Sequence, residues 1–554
     1  MKSVKRKGLL LVASLTVAAA TVGAQWAAAA ATLTVCPSGC AFSQIAPALA
    51  AAKNGDTISI GAGTYTGGLT IDKNVKLLGA GSGRTTISGG GPVLTIGTFG
   101  ASSEPIASID GVTITGGVSR SSPMSTPFTG HEGVFAAGGG VEIPPNADFT
   151  GGATVTIANS VITGNRVAPT DTVGPRPEQL PFWPICPTGP CPFAGAFGGG
   201  IDNWGTLTLT NSAVSNNRVG TAAGLSDVAS DAEGAGIHST IGVLTISNSV
   251  ISGNRASASA PNGRFADSGA LFLDGGTLTM SNSSVTNNSA TLAAAFPSSV
   301  DLGLHAGAIH VSDQAQEATI SNTTISGNAA TMTNTVGDAV ADSAGLHTDI
   351  DVSVNSHLFT LSNDVISNNH VTASTVGGSS GNADGSAGAG EISGTMNNLR
   401  LSGNTVDVTA ANGDATGEGG ATVFDGGTIT NGLVTDNHVH VSSPHGSASV
   451  SGGGIFAAVG LTLRNTPVTG NTASVSGASG NALGGGIYDV AFPFGQDGPP
   501  GGPLVLQNSP VTGNVLTGSA GLTLQGGGLY IQGEPLTRTN STIAQNTPDD
   551  CFGC

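Results

Sequence analysis

The side chains with chemistry to offer recur at one place in a repeat. Where a glycine-rich turn runs into an aliphatic residue, the next position carries Glu142, Asp202, His238, Phe272, His310 and His347, and later Phe456, Tyr488 and Tyr530. Three positions before the last glycine-type residue of such turns stand Glu233, Asp267, His305 and Asp342. Imidazoles and carboxyls exchange protons near neutral pH. Stacked rung on rung, Glu142, Asp202, Glu233, His238, Asp267, His310, Asp342 and His347 would line two adjacent columns and are candidate general acids and bases. Their plainer reading is a solvated flank whose charges keep a β-surface from aggregating. Tyr488, Tyr530 and Trp183 are rings on which a sugar could stack. Trp183 lies in a proline-rich arm, TVGPRPEQLPFWPICPTGPC, that serves either partner contact or a shield over the flank.

Those columns exist only if the chain winds, and a second motif says that it does. Segments such as TVTIANSVITGN and LTISNSVISGN recur, closing on Asn165, Asn217, Asn254, Asn288, Asn328, Asn369, Asn437, Asn471, Asn514 and Asn546. Six residues before each stands another Asn, from Asn159 and Asn211 to Asn540. Between these and the glycine turns run short stretches that alternate aliphatic and polar residues, the period of a β-strand and not of a helix. Units of roughly 32 to 43 residues, with the excess length after the closing Asn, imply a solenoid of three strands per rung carrying loops at one corner. The closing asparagines are expected to bond rung to rung as a ladder at a bend. The pattern decays around Glu391 to Leu401 and Glu418 to Thr430.

Four segments follow from this. Residues 1–31 read as a secretory signal peptide: a basic start, an apolar stretch from Gly8 to Gly23 too short to span a bilayer, then Ala27 to Ala31. Residues 32–120 hold tight coils behind a short helix expected at about Ser43 to Lys53, which would plug the open end of the core. Residues 121–546 carry the loop-bearing repeats, and residues 547–554 a tail with a Cys pair. In an oxidising compartment the six cysteines are expected to pair locally, Cys36 with Cys40, Cys186 with Cys191 and Cys551 with Cys554. No His accompanies these pairs in sequence and carboxylates stand beside the last pair alone, at Asp549 and Asp550, so disulfides rather than a metal are expected there.

Charge narrows the partners. The formal net charge is −18, and −22 once Lys2, Lys5, Arg6 and Lys7 of the leader are removed. Nucleic acid and anionic lipid are poor partners for such a charge. Only 9% of residues are charged, so hydroxyls, amides and backbone must cover the surface, a face suited to neutral sugars.

The opening FSQIAPALAAAKNGDTISIGAGTYTGGLTI resembles the cap and first rungs of the pectate-lyase-like right-handed parallel β-helix proteins, and from Val141 the GGGI and VSNN elements resemble polymorphic outer membrane protein repeats. The resemblance spans nearly the whole mature chain and implies a secreted or cell-surface protein that binds a polysaccharide or another surface without catalysis. The chain stops eight residues after Asn546, so the membrane-inserting barrel typical of that group is not expected. The alternative is a polysaccharide lyase or glycoside hydrolase with a site assembled across rungs, although no local carboxylate signature of either stands in the sequence. Calcium would enter only with a lyase; otherwise no cofactor is expected, and the mature chain is expected to be a monomer outside the membrane.

Overall fold

A computed structural model describes residues 30–120, 134–169, 193–220, 229–259, 263–298, 302–349, 359–377, 380–490, 502–533 and 535–554. Nearly all of the expected leader, Trp183 and the Cys186/Cys191 pair lie outside them. The protein is all-β. Its strands stack in parallel across rungs to form long sheets that fit a β-helix.

One rung shows how the sequence does this. Ile201–Asn203 and Thr206–Thr210 enter a 27-stranded sheet, and Ala213–Ser215 enters a 14-stranded one. Arg218–Gly220 then leads outward in a 15-stranded sheet, and Ala229–Glu233 returns in a sheet of four. Each strand pairs in register with its equivalent in the next rung, as Leu207 with Leu244 and Val214 with Ile251. Alternate residues point inward, so Leu207, Leu209 and Val214 stack on their counterparts as one aliphatic core.

The paired asparagines divide the corner between them. The earlier one, from Asn159 to Asn540, adopts φ between 49° and 60°, a left-handed bend that Asn tolerates better than other side chains. The closing one turns inward and forms the expected ladder. Asn217 Nδ2 donates to Asn254 Oδ1 at 3.0 Å, Asn254 Nδ2 to Asn288 Oδ1 at 3.0 Å, and so on to Asn546. The ladder passes through Asn404, just past the decayed stretch, which takes the amide of Asn369 and donates to Asn437. Beyond Asn546, Asp550 accepts both its backbone N–H and its amide.

The corner insertions are more than loops. Outgoing strands such as Arg255–Ser259 and Ser289–Ala294 face returning strands such as Ala229–Glu233 and Gly263–Asp267 across a second core of Ala256, Ala258, Ala290, Leu292, Ala232 and Ala266. Small side chains let the layers approach closely: a Cβ at Gly417 would meet Val441 at 2.5 Å. The main core is rich in Ile and Leu, and this one in Ala and Val.

The helix is shorter than expected, Ile45–Ala51, because Gln44 and Ala52 are extended. It buries Ile45, Ala48 and Leu49 against the first strands. Cys36–Cys40 and Cys551–Cys554 are disulfide-bonded. No helix among the described residues is long and apolar enough to cross a membrane.

Candidate functional site

Register brings the first column together as expected. Glu142 pairs with Asp202, Asp202 with His238, His238 with Phe272, Phe272 with His310, His310 with His347, and His347 with Glu391. The returning strands lay the second column over it, Glu233 beside Asp267. The expectation of a solvated flank fails here. Asp202 is 1%, His310 3% and His347 4% exposed. The cause is the second core: its returning strands cover the outer face of the main sheet, with Phe197 packed on the His238 ring at 4.9 Å. The columns therefore meet in a cleft between the two cores.

Within that cleft the charges pair across rungs. His238 Nδ1 lies 2.9 Å from Asp202 Oδ1, and its Nε2 3.8 Å from Glu233. Asp267 Oδ2 receives His310 Nδ1 at 2.8 Å and His305 Nδ1 at 3.1 Å, while its Oδ1 accepts the Ala306 N–H. On the other side, Asp349 Oδ2 meets His310 Nε2 at 2.7 Å and Asp349 Oδ1 meets His347 Nε2 at 2.8 Å. His347 Nδ1 faces Glu391 Oε2 at 3.4 Å, and Glu391 hydrogen-bonds Asp425. The result is one polar chain from Asp267 to Asp425.

Burial alone would strip the proton from His310, but Asp267 and Asp349 override it and lift its pKa to about 10. Asp267 is likewise pushed up by burial yet held below the ordinary carboxylate range by His310 and His305. Beyond His347 the balance reverses. Burial, then Asp425, pushes Glu391 up to about 9, and burial, then Asp384, pushes Glu418 up to about 7. Glu233 rises through burial and then Asp231. Clustered shifts of this kind suit proton transfer.

Two sets of ligand atoms also converge to within 4.8 Å of one another: Asp267, His305 and His310, and His310, His347 and Asp349. Both lie away from the cysteines, where the sequence reading had looked for a metal. Asp349 holds the position just past the strand that Asp274 and Asp425 also hold, with Ser312 and Ser393 on the rungs between, and Glu391 and Asp425 fall where the pattern decays, so no unbroken column marked them in the sequence.

The aromatic end of the column behaves differently from what was expected. Tyr488 stacks between Phe456 and Tyr530, at 5.2 Å and 5.3 Å, and Tyr530 also stacks on Phe552 at 5.0 Å. Their ring faces are occupied by each other, so neither offers an open platform to a sugar. Glu142 lies one rung beyond Asp202, and Asp342 beside the acidic end.

A second surface emerged only from the register. On the long strands of the main sheet, Thr156, Thr208, Thr245, Thr279, Thr319 and Thr360 stand in one outward column that continues through Thr395 and Thr428 to Thr462. Two residues along run Thr210, Ser247, Ser281, Ser321 and Ser362. The hydroxyls form a lattice of about 4.8 Å between strands and about 6.6 Å along them. The TLT and TIS segments before each Asn were the available signal.

No protein-family model matches the chain, and neither does any curated protein.

Proposed function

We propose that this is an exported, right-handed, single-stranded parallel β-helix, plugged at one end by helix Ile45–Ala51, that binds an extended cell-surface or extracellular polysaccharide without cleaving it. The observation that carries the reading is the hydroxyl lattice running from Thr156 to Thr462. A face of hydroxyls that repeats at strand spacing, with Glu317 and Arg464 at its margins, matches a ligand that itself repeats, and each hydroxyl can both donate and accept. The basic, then apolar start of the sequence supports export, and the repeat's resemblance to polymorphic outer membrane protein elements supports a place at the cell surface. The protein acts as a monomer in this reading.

Binding of the mature chain to a panel of insoluble and arrayed polysaccharides tests the proposal. Changing Thr245, Thr279 and Thr319 together to Lys should abolish retention on the retained glycan, because three long cations interrupt the lattice while leaving the core untouched. Undiminished retention in that variant would end the reading.

A second reading, a polysaccharide lyase or glycoside hydrolase, is favoured by one observation: Glu391 and Glu418 keep protons near neutral pH within the cleft that holds His310 and His347. Release of reducing or unsaturated ends from the same panel would replace the binding reading by this one.

A further inference from the structure

His310 and His347 stand on neighbouring rungs, their rings 4.9 Å apart and nearly perpendicular. Both aim Nε2 at the two oxygens of Asp349, at 2.7 Å and 2.8 Å. Each ring is also engaged on its far side. His310 Nδ1 donates to Asp267 at 2.8 Å, and His347 Nδ1 faces Glu391 at 3.4 Å and Ser343 at 3.4 Å. A carboxylate behind the distal ring nitrogen is how proteins orient a metal-binding imidazole, leaving Nε2 to meet the ion. Phe272, edge-on to His310 at 4.7 Å, and His305, stacked on His347 at 5.4 Å, hold the ring planes.

We propose that His310, His347 and Asp349 form a binding site for a divalent transition-metal cation of the zinc type, with Asp267 as a positioning residue. Two imidazoles and one carboxylate suit such an ion, whereas calcium and magnesium take oxygen ligands. A tetrahedral ion with bonds of about 2.0–2.1 Å holds its ligand atoms about 3.3 Å apart. The present contacts of 2.7 Å and 2.8 Å are shorter by about half an ångström, so a retreat of Asp349 by that much makes room. That residue is the one able to move: its side chain is 42% exposed, against 4% and 5% for the two imidazoles. It also gives the ion a path from solvent. Three protein ligands leave a fourth position open to water or to a substrate oxygen. The inference is independent of glycan binding on the hydroxyl face.

The test is titration of the chelator-stripped mature protein with Zn2+, Co2+ and Ca2+ by calorimetry, with the visible absorption of bound Co2+ as a second readout. One equivalent of Zn2+ and of Co2+ should bind, Ca2+ should not, and Zn2+ should raise the melting temperature. His347→Gln and Asp349→Asn should weaken Zn2+ binding by more than the roughly 10–100-fold expected for Asp267→Asn. His438→Ala with His440→Ala, on an exposed strand, should leave it unchanged, and His305→Ala should change it only a few-fold. The proposal is overturned if the folded protein binds no Zn2+, if binding follows His438 and His440, or if His305→Ala abolishes it while His347→Gln does not. Where a variant does not fold, the unmodified protein still overturns the proposal if Zn2+ leaves its melting temperature unchanged.

Discussion

The asparagine ladder and the histidine cleft are built by the same device, one side chain per rung stacked at strand spacing, yet they differ in what they stack. An amide both donates and accepts, so Asn254 can bond Asn217 and Asn288 alike and the same residue serves at every rung. Imidazoles and carboxylates do not complement themselves. Like charges about 5 Å apart in a buried column repel. The cleft therefore sets opposite charges against each other, Asp202 against His238 and His310 between Asp267 and Asp349, and draws these partners from more than one column. One residue type kept on every rung marks scaffold in this protein, and a change of residue type along a column marks the site.

That contrast can be broken at several points. Asp267→Ala takes a partner from the buried His310 imidazole, the half-buried His305 imidazole and the Ala306 N–H, and should cost about 3–5 kcal/mol in urea unfolding. A loss below about 1 kcal/mol would mean that the cleft is wet and its pairing incidental. Asn288→Ala leaves the Asn254 N–H and amide, the Ile251 carbonyl and Asn328 Oδ1 short of a partner, for about 2–4 kcal/mol. Equal costs at Asn254 and Asn328 would confirm that ladder positions are interchangeable, which cleft positions should not be.

One rung breaks the neutral rule within the scaffold itself. Ser212, Ser249 and Ser283 each accept the backbone N–H of the preceding rung, and Asp364 does so for Thr323. Burial pushes its carboxyl up to about 7 against the pull of the Thr323 and Ser362 N–H groups. A carboxyl raised in the folded state costs nothing below about pH 4, costs progressively more as pH climbs to about 7, and costs fully above that. Asp364→Ser should match the parent near pH 4 and exceed it by about 2–4 kcal/mol above pH 7. A gain at pH 4 as large as at pH 8 would assign the effect to packing. The smallest change is expected on the hydroxyl face, where Thr245→Lys should shift stability by no more than about 0.5 kcal/mol, measured by the same unfolding curve.

Much of this architecture was legible in the chain. Alternation in segments such as TLTLTN announced strands, and the closing Asn announced a ladder because one spacing recurred ten times. Asn404 was missed although Asn398, with φ 54°, stands six residues before it, because GEISGTMN runs on from the glycine turn as a single strand and lacks the alternating TLT-type segment that precedes the other pairs. The insertions were read as loops because Ala-rich strands such as RASAS and SATLAA lack the bulky aliphatics that signal a core. Their partner layer supplies what they lack.

By itself the sequence determined the parallel stacking, the aliphatic core and the neutral amide corner, since each follows from local periodicity repeated many times. Only the tertiary structure decided the cleft. Asp267 and His310 are 43 residues apart and His310 and Asp349 39. Their meeting depends on insertions of unequal length closing over the main sheet, a sum of non-local contacts that no local pattern encodes.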